Sequence, residues 1–141
     1  MQSYDQDGVR FQIPPNWSLE KEEIDEGWSV SVQSPGTAFL YIVFDSNLPD
    51  PDELASATLE ALKKDYPELE AEEALENISG QAAVGHNLQF FSFDLAIECK
   101  TRCLYSPEGT ILLLLQKSDE DEKKYGPALQ ALWKSIQIDM E

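Results

Sequence analysis

Gly8-Val9-Arg10-Phe11-Gln12-Ile13-Pro14-Pro15-Asn16-Trp17 is the stretch on which the fold turns. Val9, Phe11 and Ile13 alternate with Arg10 and Gln12, the two-residue period of a strand with one buried face. Pro14-Pro15 then stops it, because neither proline has an N–H to give to a ladder. Trp17 follows at once: a large apolar side chain placed to cover the end of a core, and also an aromatic candidate for an interaction surface.

Working outward, the same alternation recurs. A polar strand is expected over residues 19–24, a glycine turn at Asp25-Glu26-Gly27, and a clean alternating strand over residues 28–32. Ser34-Pro35-Gly36 turns the chain, and residues 37–44 form a nearly continuous apolar strand of the kind covered on both faces. Asp50-Pro51-Asp52-Glu53 opens a helix. Asp50 caps, Pro51 fits the first helical position, and Glu53 completes a capping-box-like arrangement. Leu54, Thr58, Ala61 and Leu62 line one face, and Pro67 stops the helix near Tyr66.

Residues 68–77 are ambiguous. Their Glu, Ala and Leu favour helix, while their place in the order favours a strand in the C-terminal half. Residues 80–95, with Leu88, Phe90, Phe91 and Phe93, read as a central strand. Residues 98–106 and 110–116, joined by a Ser106-Pro107-Glu108-Gly109 turn, complete a meander. A last helix is capped by Ser118 and favoured at its start by Asp119, Glu120, Asp121 and Glu122. Gly126-Pro127 marks a kink or restart, and Leu129, Leu132, Trp133 and Ile136 form the buried stripe. Strands, helix, strands, helix predict one α+β domain over residues 1–141: an antiparallel sheet with helices packed on its faces.

Three places carry a family resemblance. The first is the strand, Pro-Pro and Asn-Trp order of Val9 to Trp17. The second is the last hairpin, from Leu104 to Gln116. The third is the ending, Tyr125-Gly126-Pro127 through Leu132-Trp133-Lys134-Ser135-Ile136. Together they make the chain resemble the Mog/PsbP-like superfamily, which includes DcrB-like bacterial proteins. The resemblance implies an antiparallel sheet with helices on its faces and a role in binding proteins. Members include a regulator of the Ran GTPase, an extrinsic photosystem subunit and secretion adaptors. They share no catalytic residue set, so none is carried over. Many work outside the cytosol behind a signal or lipid anchor, a pattern this sequence does not match.

Composition narrows the partners. Of 141 residues, 27 are acidic and 10 basic, for a net charge of −17. Nucleic acid is excluded as a partner, since its binding rests on Lys and Arg neutralising phosphates. Anionic membrane surfaces are disfavoured for the same reason. A basic partner or a cation is attracted, within a screening length of about 8 Å. Met1-Gln2-Ser3-Tyr4-Asp5 lacks the basic start of a secretory signal, and the longest apolar run, Ile111 to Leu115, is too short to span a bilayer. Cys99 and Cys103 fall on one strand about 13 Å apart, too far to bridge. Two free thiols suit a reducing compartment, and a cytoplasmic location is expected.

Chemistry is sparse. His86 is the single histidine, and no nucleophile elbow or phosphate-cradling glycine loop is present. Cys99, Cys103 and His86 offer three soft ligands at most, short of a zinc set. The run from Asp45 to Asp52 lacks the glycine and bidentate glutamate of a calcium loop, and Asp50 is committed to capping. Neither cofactor nor metal is expected. The sequence therefore points to a non-enzymatic binding or adaptor domain, recognising a basic protein partner. Trp17, Asp119, Glu120, Asp121 and Glu122 are its candidate surface. A small-ligand or cation-binding domain is the alternative.

Overall fold

Val9, Phe11 and Ile13 are all buried in the computed structural model, which describes residues 2–139. They belong to β2 (Val9–Ile13), which pairs antiparallel with β1 (Gln2–Gln6) on one side and with the C-terminal β10 (Gln137–Ile138) on the other. The β1–β2 turn is Asp7-Gly8, both residues at positive φ (54° and 82°), the geometry a two-residue hairpin needs. At the other end Asn16 takes φ 71°, which asparagine tolerates, and the Trp17 N–H returns to the Pro14 carbonyl at 3.3 Å.

The remaining strands are β3 (Ser18–Ile24), β4 (Gly27–Gln33), β5 (Phe39–Asp45), β6 (Glu70–Ile78), β7 (Gln81–Ser92), β8 (Leu95–Ser106) and β9 (Gly109–Ser118). They form a seven-stranded antiparallel sheet in the order β3-β4-β5-β9-β8-β7-β6. Helix α1 (Pro51–Asp65) covers one face and α2 (Glu122–Ser135), with the small sheet, covers the other. Strand alternation divides the side chains. Val30, Val32, Leu40, Ile42, Leu104, Ile111 and Leu113 face α2 and the small sheet, joined there by Leu129, Leu132 and Trp133. Leu88, Phe90, Cys99 and Leu114 face α1, where Tyr66 stacks on Phe90 at 4.0 Å. Each fully buried Val or Leu contributes about 1.5–3 kcal/mol, so the α2 side is the larger store of stability. Among the described residues no helix is long and apolar enough to cross a membrane.

Helix α1 starts as its sequence requires: Asp50 accepts from the Asp52 N–H at 2.8 Å, Pro51 occupies the first turn, and Tyr66 closes the end on the Leu62 carbonyl. Its inner face differs: Ala55 is buried and Leu59 packs against the sheet, while Ala61 is exposed. Five other expectations are corrected. Residues 70–78 are strand throughout, since pairing with β7 overrides their helical composition. The central strand is β9, while β7 lies one place from the sheet edge. The 80–95 run breaks at a Phe93-Asp94 turn. Ser118 is the last residue of β9, paired with Ile97, and α2 begins after Asp121. The helix then runs through Pro127 without interruption.

Both edges of the large sheet carry the acidic surplus: Glu20, Glu22 and Glu23 on β3, and Glu70, Glu72, Glu73 and Glu76 on β6. Charged side chains on an open edge discourage another strand from adding to it.

Candidate functional site

The structure separates the five residues of the expected surface. Trp17 is only 9% exposed and meets Tyr125 edge-on, 6.2 Å between ring centres, so it belongs to the core. Asp119, Glu120 and Glu122 are exposed, but Asp121 is 4% exposed and turns inward. Its carboxylate accepts from the Thr37 N–H (3.2 Å) and hydroxyl (2.5 Å) and from the Ser118 N–H (2.9 Å) and hydroxyl (3.0 Å). Burial raises its pKa, yet these hydrogen bonds outweigh it and hold the carboxyl below its ordinary value. Asp121 therefore pins the 34–38 turn to the end of β9 and makes no surface. Replacing it with alanine is expected to cost about 2–3 kcal/mol, because charged hydrogen bonds are lost and their donors stay buried. Urea unfolding of Asp121→Ala beside an exposed control, Glu120→Ala, measures it; equal stabilities would refute the pinning role.

Two features replace that surface. The first is the β7–β8 hairpin end. Phe91 is 78% and Phe93 97% exposed. The turn that carries them is Phe93-Asp94, with φ 50° and 65° and no glycine. Positive φ in a bulky residue costs roughly 1–2 kcal/mol, and full exposure of its ring forfeits the burial that would offset it. Carboxylates flank the two rings, which together present about 350 Å² of apolar surface. Asp94 shares the turn, Phe91 pairs with Ala96, and the Ala96 carbonyl accepts from the Asp119 N–H at 2.9 Å, which brings Asp119 and Glu120 alongside. On the other flank Gln89, on the same face as Phe91, pairs with Glu70.

The second is a cleft of about 680 Å³ between α2 and the β6–β9 part of the sheet. Its α2 wall carries Leu129, Gln130, Trp133 and Lys134, and its floor includes Glu72, Asn87, Lys100 and Leu115, one ladder row across four strands. One corner is locked by Glu76, which accepts from Arg102 Nε at 2.8 Å and from the Trp133 indole N–H at 3.0 Å. The Arg102 guanidinium also donates to the His86 and Thr101 carbonyls and to Asn87, at 3.2, 2.8 and 2.8 Å. Burial raises the Glu76 pKa, but the two hydrogen bonds and the charges of Lys100 and Arg102 leave it lowered. Lys100 Nζ stands 4.1 Å from the Trp133 ring centroid, a cation–π contact.

Cys99, Cys103 and His86 do share the α1 face of the sheet, on neighbouring ladder rows. Both thiols are buried and free, and desolvation pushes each pKa up to about 12, so neither is a ready nucleophile or ligand. His86 Nδ1 is buried without a hydrogen-bond partner. Among the described residues no three ligating side chains group around a point.

The hairpin and cleft were hidden from sequence reasoning. Phe91 and Phe93 read as core because apolar density implies burial, and the cleft gathers residues from four strands and a helix. The one available signal was the excess of Phe at 90, 91 and 93, which a strictly alternating strand cannot bury on one face.

No protein-family model and no curated protein matches the chain. Solved structures do. The chain is similar to cyanobacterial PsbP (CyanoP) from Synechocystis sp. PCC 6803, with a TM-score of 0.65 and 13% identity over 98% of this chain and 92% of that one. It is similar to PA94 of Pseudomonas aeruginosa, a protein of unknown function, with a TM-score of 0.55 and 18% identity over 96% and 94%. It is also similar to LpqN of Mycobacterium tuberculosis, involved in cell envelope biogenesis, with a TM-score of 0.53 and 14% identity over 92% and 82%.

Proposed function

We propose that this chain, whose fold is Mog/PsbP-like, is a non-enzymatic protein-binding module that takes a basic partner on its β7–β8 hairpin end. The observation that carries this reading is Phe93, held at φ 50° with 97% of its surface in water. A conformation that is strained and an exposure that is unfavourable persist where binding uses them. Aromatic anchors dominate interface energies, and a carboxylate rim supplies steering and register toward a positive surface. The backbone of Asp119, one of the acidic residues singled out from the sequence, bonds the Ala96 carbonyl opposite Phe91, and its side chain is exposed. The free thiols are consistent with action in a reducing compartment.

The test is capture from source lysate by wild-type protein and by the Phe91→Ser/Phe93→Ser double variant, at low and high salt. The double variant should fold as wild type, since both rings are exposed. Loss of a basic partner in the variant, with weakened capture at high salt, is the expected result. Identical captured proteins for both forms would refute the hairpin as the binding surface.

A further inference from the structure

Neither Phe91 nor Phe93 lines the cleft beneath α2, and two of its lysines, Lys100 and Lys134, make no ion pair among the described residues. Arg102 is matched by Glu76. Lys117 pairs with Glu98 at 3.7 Å and with Glu122. Lys100 pairs with no carboxylate among the described residues; its half-buried ammonium rests on the Trp133 ring at 4.1 Å. Burial lowers its pKa; Glu76 opposes this, while the charges of Arg102 and Lys117 reinforce it. Lys134 is exposed to water, so Lys100 is the half-buried charge of the cleft that lacks an ion pair. The ammonium keeps donors for an incoming group, beside the half-buried Leu115.

We propose that this cleft binds a small organic monocarboxylate, with Lys100 holding the carboxylate and Leu115 contacting the apolar body. The volume, about 680 Å³, suits a small molecule. The number of charges is limited by the surroundings: Glu70, Glu72, Glu76 and Glu98 line the same cleft, so a dianionic phosphate meets repulsion that a single carboxylate largely escapes. A cation would find the floor already occupied by Lys100 and Lys117.

Titration of the full-length ¹⁵N-labelled chain tests this, read at the indole N–H of Trp133, the tryptophan that lines the cleft. Benzoate, phenyl phosphate and benzylamine are the probes. Benzoate should shift that resonance saturably and bind about tenfold or more tighter than either other probe. Lys100→Gln should weaken benzoate about tenfold, and Lys100→Arg, which keeps the charge, should restore most of it. Unchanged benzoate affinity in Lys100→Gln overturns the proposal. So does tighter binding of phenyl phosphate or benzylamine, or the lack of a saturable shift below about 50 mM. The Phe91→Ser/Phe93→Ser variant should bind benzoate as wild type does, so the two sites fail or succeed independently.

Discussion

Gly85→Ala should destabilise the protein by about 3 kcal/mol or more, at the upper end of overpacking substitutions. Gly85 pairs with Arg102 in the β7–β8 ladder, between Val84↔Cys103 and His86↔Thr101. A Cβ there would sit 1.8 Å from the Thr101 carbonyl oxygen and 2.5 Å from its carbon. Backbone cannot yield as a flexible side-chain tip can, and β8 cannot retreat because β9 is bonded to its other edge. The Arg102 guanidinium, hydrogen-bonded to that same Thr101 carbonyl, would be displaced as well. Gly80 makes the control. It has φ 88° but nothing within 4 Å of an added Cβ, so Gly80→Ala should cost only about 1 kcal/mol, for the left-handed backbone. Urea midpoints of the two variants decide the matter: Gly85→Ala must be much the less stable, and parity between them would contradict the packing described.

Arg102→Met is the second large effect, and it carries a pH signature. The arginine side chain is 6% exposed and its Glu76 partner 32%, so the pair is screened on one side only. Removing one member of a buried pair costs about 3–5 kcal/mol, and the partial exposure of Glu76 brings this to about 2–4. With Arg102 in place, the Glu76 pKa lies below its ordinary 4.5 in the folded protein. A lowered carboxylate pKa stabilises the fold above the unfolded value, and that contribution is lost as pH falls through the folded one. Removing Arg102 takes away a hydrogen bond and a charge that hold it down. The stability gap between wild type and Arg102→Met should therefore narrow from pH 6 toward pH 3. The double variant Arg102→Met/Glu76→Leu should recover part of the loss by removing the orphaned carboxylate. Denaturation at a series of pH values measures both; a gap that stays constant across that range would show that the ion pair contributes nothing to it.

Strands with a buried face on every second residue were legible from the sequence, as at Val9–Ile13 and in the Trp28, Val30 and Val32 alternation. So was the start of α1, where Asp50 and Pro51 act through local geometry alone. Strand β1 was missed because Tyr4 is its lone buried residue, although Asp7-Gly8 carried the hairpin signal. Strand β6 looked helical because propensity is local, and its pairing to β7 is not. The Phe93-Asp94 turn lacks the glycine that usually announces such a turn. Of four consecutive acids, only Asp121 folds inward, since only it reaches the Thr37 and Ser118 donors across the chain. Glu76, Arg102 and Trp133 come from β6, β8 and α2, and only the assembled sheet makes them neighbours.

The small sheet has a consequence for biosynthesis. Strand β2 needs β10, and their register pairs Arg10 with Gln137 and Val9 with Ile138. Strand β2, with β1 already beside it, thus waits for residues made about 127 positions later. At about 5–20 residues per second, that interval is roughly 6–25 s. Throughout it Phe11, Ile13 and Trp17, later sealed in the core with Leu132 and Trp133, remain open to whatever holds nascent chains in the cell.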